Sequence, residues 1–289
     1  MFEGLGTAIV TPFKKQELDL DSFKNMLEYQ ISNGVDNIVV CGTTGEATTL
    51  TNDEQVKIIK VAVDVCKNKA KVVAGASSSN TNTSIELAKR NKELGVDGVL
   101  VAVPPYNKPM QDGIYLHYKA ISEVKIPIIL YNVPGRTSRD MSDDTIIKLS
   151  KLDYIVALKD ATGDLARVAN LHSKTKDFTL LSGEDATTVG FNAMGGRGVI
   201  SVSSNVAPKL CSELQKATLN GDYKKALELQ DKLIDLHKIM FVEANPIPAK
   251  YATSLLGYGD GSVRLPLTEA NEDTKEKIRD AMKSLGIIQ

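Results

Sequence analysis

The sequence predicts an α/β fold, a (β/α)8 TIM barrel with a C-terminal helical extension. Three observations carry this. Short apolar runs alternate with amphipathic stretches eight times within the first 221 residues, as a ring of parallel strands and helices requires. Several of these runs are continuously apolar rather than alternating, the pattern of strands covered on both faces. Polar, glycine-rich or reactive residues follow the runs, where such barrels place their chemistry. A doubly wound open sheet would share the alternation. However, no Gly-x-Gly-x-x-Gly follows the first strand and no P-loop is present.

The first strand is read over 6–10 and stops at Thr11-Pro12. A helix capped at Asp21 runs to about Asn33, and Gly34 ends it. The second strand, 37–41, opens into Gly42-Thr43-Thr44-Gly45-Glu46, with Thr51 or Asn52 capping the next helix. The third strand is 71–75, and a polar loop from Ser77 to Thr83 leads to a helix ending at Gly95. The fourth strand, 98–103, is closed by Pro104-Pro105-Tyr106, and a helix follows over about 111–123. The fifth strand is 126–131, admitting Pro127 near its start where a missing N–H is tolerable. Its loop is Asn132-Val133-Pro134-Gly135-Arg136-Thr137, and Ser142 caps the helix beyond. The sixth strand is the apolar run Ile155–Leu158, ending at Lys159, with a helix from Asp164. The seventh and eighth strands are 178–182 and 198–202, with helices after Gly183-Glu184-Asp185 and Ser203-Ser204-Asn205. Residues 1–221 form the expected barrel. Residues 222–289 form further helices, over about 222–241, 248–256 and 268–285, expected to pack on it.

Bulk properties narrow the function. The net charge is −1, and no basic stripe suggests nucleic acid. No run approaches the ~18 apolar residues of a membrane span. Met1-Phe2-Glu3-Gly4 leads directly into a strand-like stretch and does not read as a signal peptide, so a cytoplasmic protein is expected. Cys41, Cys66 and Cys211 are an odd, widely spaced set without a disulfide or zinc pattern. His117, His172 and His237 lack a second ligand at helical spacing. Neither metal nor cofactor is expected.

Four strand ends supply candidate chemistry. Lys159 sits where an apolar run stops; desolvation favours the neutral amine, which attacks carbonyls. Such a lysine can equally pack its stem and send its head to water. Tyr131 can move protons, and Arg136 offers a two-pronged grip on a carboxylate. The backbone of 42–46 and the hydroxyls of Thr43 and Thr44 can hold another. Tyr106, on a proline-stiffened loop, is placed to enter a neighbouring subunit's site. With no metal or nucleotide motif, this set points to Schiff-base chemistry on a small α-keto acid.

Gly42-Thr43-Thr44-Gly45-Glu46, Tyr131-Asn132-Val133-Pro134-Gly135-Arg136-Thr137, Lys159-Asp160-Ala161-Thr162-Gly163 and Asn245-Pro246-Ile247-Pro248 together resemble the dihydrodipicolinate synthase family. The resemblance runs from Gly6-Thr7-Ala8-Ile9-Val10-Thr11-Pro12 to Arg264-Leu265-Pro266-Leu267. It implies condensation of pyruvate with aspartate 4-semialdehyde on the route to diaminopimelate and lysine. Lys159 matches the Schiff-base lysine and Tyr131 the acid/base tyrosine. Thr43 matches the hydroxyl linking Tyr131 to a second tyrosine, Tyr106, which in the family enters from the adjacent subunit of a dimer-of-dimers homotetramer. Thr43 and Thr44 match the grip on pyruvate, Arg136 the grip on the semialdehyde, and Gly183 and Ile200 positions lining the lysine. Keto-sugar-acid aldolases of the wider superfamily share the lysine and tyrosine, and a barrel kept as a binding protein is the non-enzymatic alternative. Family members inhibited by lysine carry an aromatic ring before the inter-subunit tyrosine, where this chain has Pro105. They also use a histidine in the segment holding Asn52 and Gln55 and an acid near Thr83, neither of which is present here. Weak or absent lysine inhibition is therefore expected. Asp160 stands where many members have glutamate.

Overall fold

In the computed structural model, which describes residues 1–289, eight parallel strands close into a barrel. They are β1 Gly4–Ala8, β2 Asn37–Val40, β3 Lys71–Gly75, β4 Gly98–Ala102, β5 Ile128–Asn132, β6 Ile155–Asp160, β7 Thr179–Ser182 and β8 Gly198–Ser201. Each strand pairs with its sequence neighbour, and β8 pairs back onto β1, with Leu5 opposite Val199. Closure leaves no unpaired edge.

The helices are α1 Leu20–Ser32, α2 Asn52–Cys66, α3 Thr81–Glu93, α4 Gln111–Ser122, α5 Asp143–Leu149, α6 Leu165–Lys174, α7 Thr188–Ala193 and α8 Pro208–Leu219. Several starts lie where a side chain can accept the orphan first-turn amides. Thr51 accepts from Glu54 N while Glu54 accepts from Thr51 N, a complete capping box. Ser142 and Asp164 cap α5 and α6 as expected. Asp19, rather than Asp21, caps α1, because its carboxylate reaches both the amide and the hydroxyl of Ser22. Asn80 starts α3 inside the stretch expected to be loop, accepting from Asn82 N. The fifth strand begins after Pro127 rather than at Ile126. The sixth extends through Lys159 and Asp160.

A small hairpin, Phe13–Lys14 with Glu17–Leu18, was not anticipated. Its turn residues Lys15 and Gln16 both have positive φ, 53° and 68°. Asn and Gly usually announce such a turn, and here neither is used.

Strand alternation divides the core in two. Inside the barrel, one residue from each strand joins a single apolar cluster: Ala8, Val39, Val73, Leu100, Ile129, Ala157, Leu181 and Ile200, with Phe2 packed against it. The opposite faces of the strands pack against the helices in one continuous apolar core. Cys66 and Cys211 are buried within that core. His117 and His237 are buried against hydroxyls of Thr81 and Ser203, and His172 is exposed.

Beyond the barrel come α9 Tyr223–Ile239, α10 Ile247–Ser254 and α11 Glu272–Ser284. The last starts at Asn271, whose side chain accepts from Thr274 N, not at Thr268. α9 lies along α8, and α11 packs on α9 and α10. No helix is long and apolar enough to cross a membrane.

Ile129 is 1% exposed inside the barrel. Ile129→Ala should lower unfolding free energy by about 2–5 kcal/mol, since a closed ring of strands collapses poorly around a cavity. Urea denaturation measures this.

Candidate active site

Two residues further along their strands, the inward positions beyond this cluster become Gly75, Ala102, Tyr131, Lys159 and Gly183. Three small residues leave open the space that the tyrosine and lysine face. Strand register sets Ala102 opposite Tyr131 and Tyr131 opposite Lys159. The Lys159 amine lies 4.5 Å from the centre of the Tyr131 ring.

Lys159 is only 6% exposed, and it forms no ion pair with a carboxylate of the chain. Burial pulls its pKa down to about 8; Asp185 pulls it back up, Arg136 pushes it lower and Glu184 raises it. The neutral fraction near neutral pH is therefore far larger than that of an ordinary lysine, though the protonated form still predominates. Burial pushes the Tyr131 phenol up to about 12, against the positive charge of Arg136. The phenol is thus protonated beside the amine, able to donate.

The outward-facing partners of this pair are braced. Asn132 donates to Asp160 at 3.1 Å and to Asp140 at 2.8 Å, and Thr162 donates to Asp160 at 2.7 Å. Arg167 clamps Asp140 with two hydrogen bonds and Asp143 with a third. Asp160 is therefore no idle variant: it ties the end of β6 to β5 and to its own loop.

The 42–46 loop is held from several sides. Thr11 donates to the Gly45 carbonyl. Glu46 and Lys250, each about 2% exposed, form an ion pair at 2.7 Å, and Glu46 also accepts from Arg264 N. Lys250 lies 3.6 Å above the Phe13 ring. Asn245 donates through Nδ2 to Thr44 Oγ1 at 2.9 Å, and its carbonyl accepts from Arg136 Nη2 at 3.1 Å.

A cavity of about 390 Å³ opens at the mouth between β2 and β5. Thr43, Tyr131 and Arg136 line it together with Thr48, Gln55 and Pro105. Arg136 is its single charged residue and no acid contributes to the wall. Gly75 is needed there, because a Cβ would collide with the Cys41 carbonyl oxygen. Cys41 is a buried wall residue whose thiol burial pushes up to about 12. Lys159 stands beside the cavity past Tyr131. Thr44 is buried behind its wall. Gly183 N donates to the Asp160 carbonyl next to Lys159, and Ile200 belongs to the apolar cluster inside the barrel. Tyr106 is 92% exposed, on a left-handed backbone with φ 68°, and is not part of its own chain's cavity wall.

The sequence assigns no role to Lys250, Glu184 or Asp185, and Asn245 stands in it only as part of the Asn245-Pro246-Ile247-Pro248 motif. The two acids are legible as polar residues between the seventh strand and the helix after it. Asn245 and Lys250 lie some 200 residues from the groups they touch, and no local periodicity marks those contacts.

The Dihydrodipicolinate synthetase family matches residues 1–285. The 4-hydroxy-tetrahydrodipicolinate synthase of Parvibaculum lavamentivorans is 48% identical over 290 residues, covering 100% of both chains. Among solved structures, dihydrodipicolinate synthase from Thermotoga maritima superposes with a TM-score of 0.98 at 43% identity, covering 100% of each chain. The chloride-inhibited synthase from Acinetobacter baumannii, in complex with pyruvate, gives 0.97 at 42% identity and the same coverage.

The lowered pKa of Lys159 has a measurable consequence. Only the neutral amine reacts with electrophiles, so its modification by a small amine-directed reagent should rise with pH. It should reach half its plateau near pH 8, where an ordinary lysine would require about pH 10.4. Peptide mass analysis across the pH series measures the midpoint.

Proposed function

The chain belongs to the dihydrodipicolinate synthetase family, a lyase by that membership, and we propose that it condenses pyruvate with L-aspartate 4-semialdehyde to give 4-hydroxy-tetrahydrodipicolinate, the committed step towards diaminopimelate and lysine. The observation carrying this reading is a buried, unpaired amine beside a protonated phenol, next to a cavity whose single charge is a guanidinium. The Lys159 amine adds to the keto carbon of pyruvate, and loss of water leaves an iminium. The iminium draws electrons from the neighbouring C–H bond, and the proton departs through Tyr131. The resulting enamine carbon attacks the aldehyde carbon, and Tyr131 returns a proton to the new alkoxide. The semialdehyde's amine then displaces Lys159 as the ring closes, freeing the enzyme.

The remaining roles follow the same reading. Thr43 and Thr44 hold pyruvate's carboxylate, with Thr43 also relaying protons, and Arg136 holds the semialdehyde's carboxylate. Gly183 and Ile200 border the iminium. The full exposure of Tyr106 on its stiff loop supports its crossing into an adjacent subunit's site, within a tetramer built from two tight dimers. The barrel, 1–221, carries the chemistry in the cytoplasm, and 222–289 braces it.

Intact mass after pyruvate and borohydride tests the central step: a pyruvyl adduct on wild type and none on Lys159→Ala. In a coupled assay with semialdehyde, Lys159→Ala should lack turnover. Tyr131→Phe should retain the fold and lose about 10²–10⁴-fold in rate. Arg136→Ala should raise the semialdehyde's KM far more than pyruvate's. No adduct on wild type would sink the mechanism.

Lysine should inhibit weakly or not at all. Inhibited relatives hold lysine at the tight-dimer interface, and there this chain has Pro105 in place of the aromatic ring and lacks the histidine and the acid, so the ammonium finds no carboxylate and no cation–π wall. Strong inhibition by sub-millimolar lysine in the same assay would contradict this.

A further inference from the structure

We infer that Asn245 is a positioning residue whose side-chain amide directs the Thr44 hydroxyl proton towards the keto acid's carboxylate. The inference rests on the reading above and goes one step behind it. Thr44 is 4% exposed and Asn245 8% exposed, so neither hydroxyl nor amide is free to turn in bulk water. Their contact is Asn245 Nδ2 to Thr44 Oγ1 at 2.9 Å. An amide nitrogen can only donate, so Thr44 accepts here. Its own proton is then left for another acceptor, and the acceptor expected beside it is the carboxylate of the first substrate. Asn245 Oδ1 is buried with no partner in the chain, so the Nδ2 contact to Thr44 is the one side-chain hydrogen bond that Asn245 makes.

Asn245 itself is placed by its neighbours. Lys250 N donates to the Pro246 carbonyl, and the Lys250 side chain pairs with Glu46, two residues beyond Thr44. The loop and the start of α10 are thus locked together, which keeps the amide and hydroxyl aligned. The other substrate's grip is tied to the same residue differently. Arg136 binds the Asn245 backbone carbonyl, which no side-chain substitution removes. The two grips can therefore be separated by experiment.

Asn245→Asp keeps the shape but replaces the donor with an acceptor. Thr44 would then donate to Asp and withdraw its proton from the substrate. Pyruvate KM should rise roughly ten- to a hundredfold, the loss of one hydrogen bond to a charged group. The semialdehyde KM, kcat and thermal midpoint should change far less. In a Thr44→Val background, where there is no hydroxyl to redirect, the same substitution should add little. An unchanged pyruvate KM in Asn245→Asp would overturn the inference. So would an equal penalty with Thr44→Val, which marks simple charge repulsion, or an equal rise in both KM values, which marks movement of the whole segment. Borohydride trapping of the wild type separates the levels. An adduct with unaltered KM in the variant defeats only the role of Asn245; no adduct defeats the Schiff-base reading and this inference with it.

Discussion

The mouth of the barrel depends on keeping one amine out of water without giving it a counter-ion. Two lysines of this chain are buried almost completely, Lys159 and Lys250, and burial draws both down to about 8. Lys250 has Glu46 at 2.7 Å and an aromatic ring beneath it, so its charge is held in a tie between loop and helix. Lys159 has only the face of Tyr131 and the more distant fields of Asp185, Glu184 and Arg136. The same desolvation yields an ion-paired strut in one place and an unpaired amine in the other, and the difference is one carboxylate.

Barrel closure makes the second arrangement possible. A closed parallel sheet sends alternate side chains into a common shaft, and the apolar ring from Ala8 to Ile200 seals it from below. Residues one step above that ring are dry below and open above. Tyr131 and Lys159 occupy adjacent strands at this level, while Gly75, Ala102 and Gly183 leave the opposite space unfilled. The polar groups on the reverse faces of the same strands, Asn132 and Asp160, are held by the Asp140–Arg167 clamp. The strand ends are thus fixed from outside while their inner faces carry the reactive groups.

Much of this was legible in the sequence because it depends on local periodicity. The eight strands, most of the caps and the reactive strand ends follow from apolar runs and the residues that stop them. Lys159 could be singled out because an apolar run continues to its edge, and the structure takes the strand one residue past it. The hairpin at Phe13 was hidden because its turn residues, Lys15 and Gln16, are not the usual ones for positive φ. Asp19 displaced Asp21 as a cap because only the structure reveals which carboxylate reaches Ser22. Asn245, Lys250 and Glu46 depend on contacts across some 200 residues, for which no periodic signal exists. The role of Asp160 likewise required its partners Thr162 and Asn132 to be seen.

The composition of the cavity wall has a kinetic side. The chain as a whole carries a net charge of −1, which does nothing to attract acids from a distance. Within the mouth, however, Arg136 is the lone charge on low-dielectric walls, and such clefts focus field lines outward. Small carboxylates entering within about one Debye length, roughly 8–10 Å at ordinary ionic strength, meet a local potential opposite to that of the surrounding surface. For the carboxylate substrates proposed above, capture would be a short-range event: salt screens the last approach, and the long-range field of the molecule contributes little.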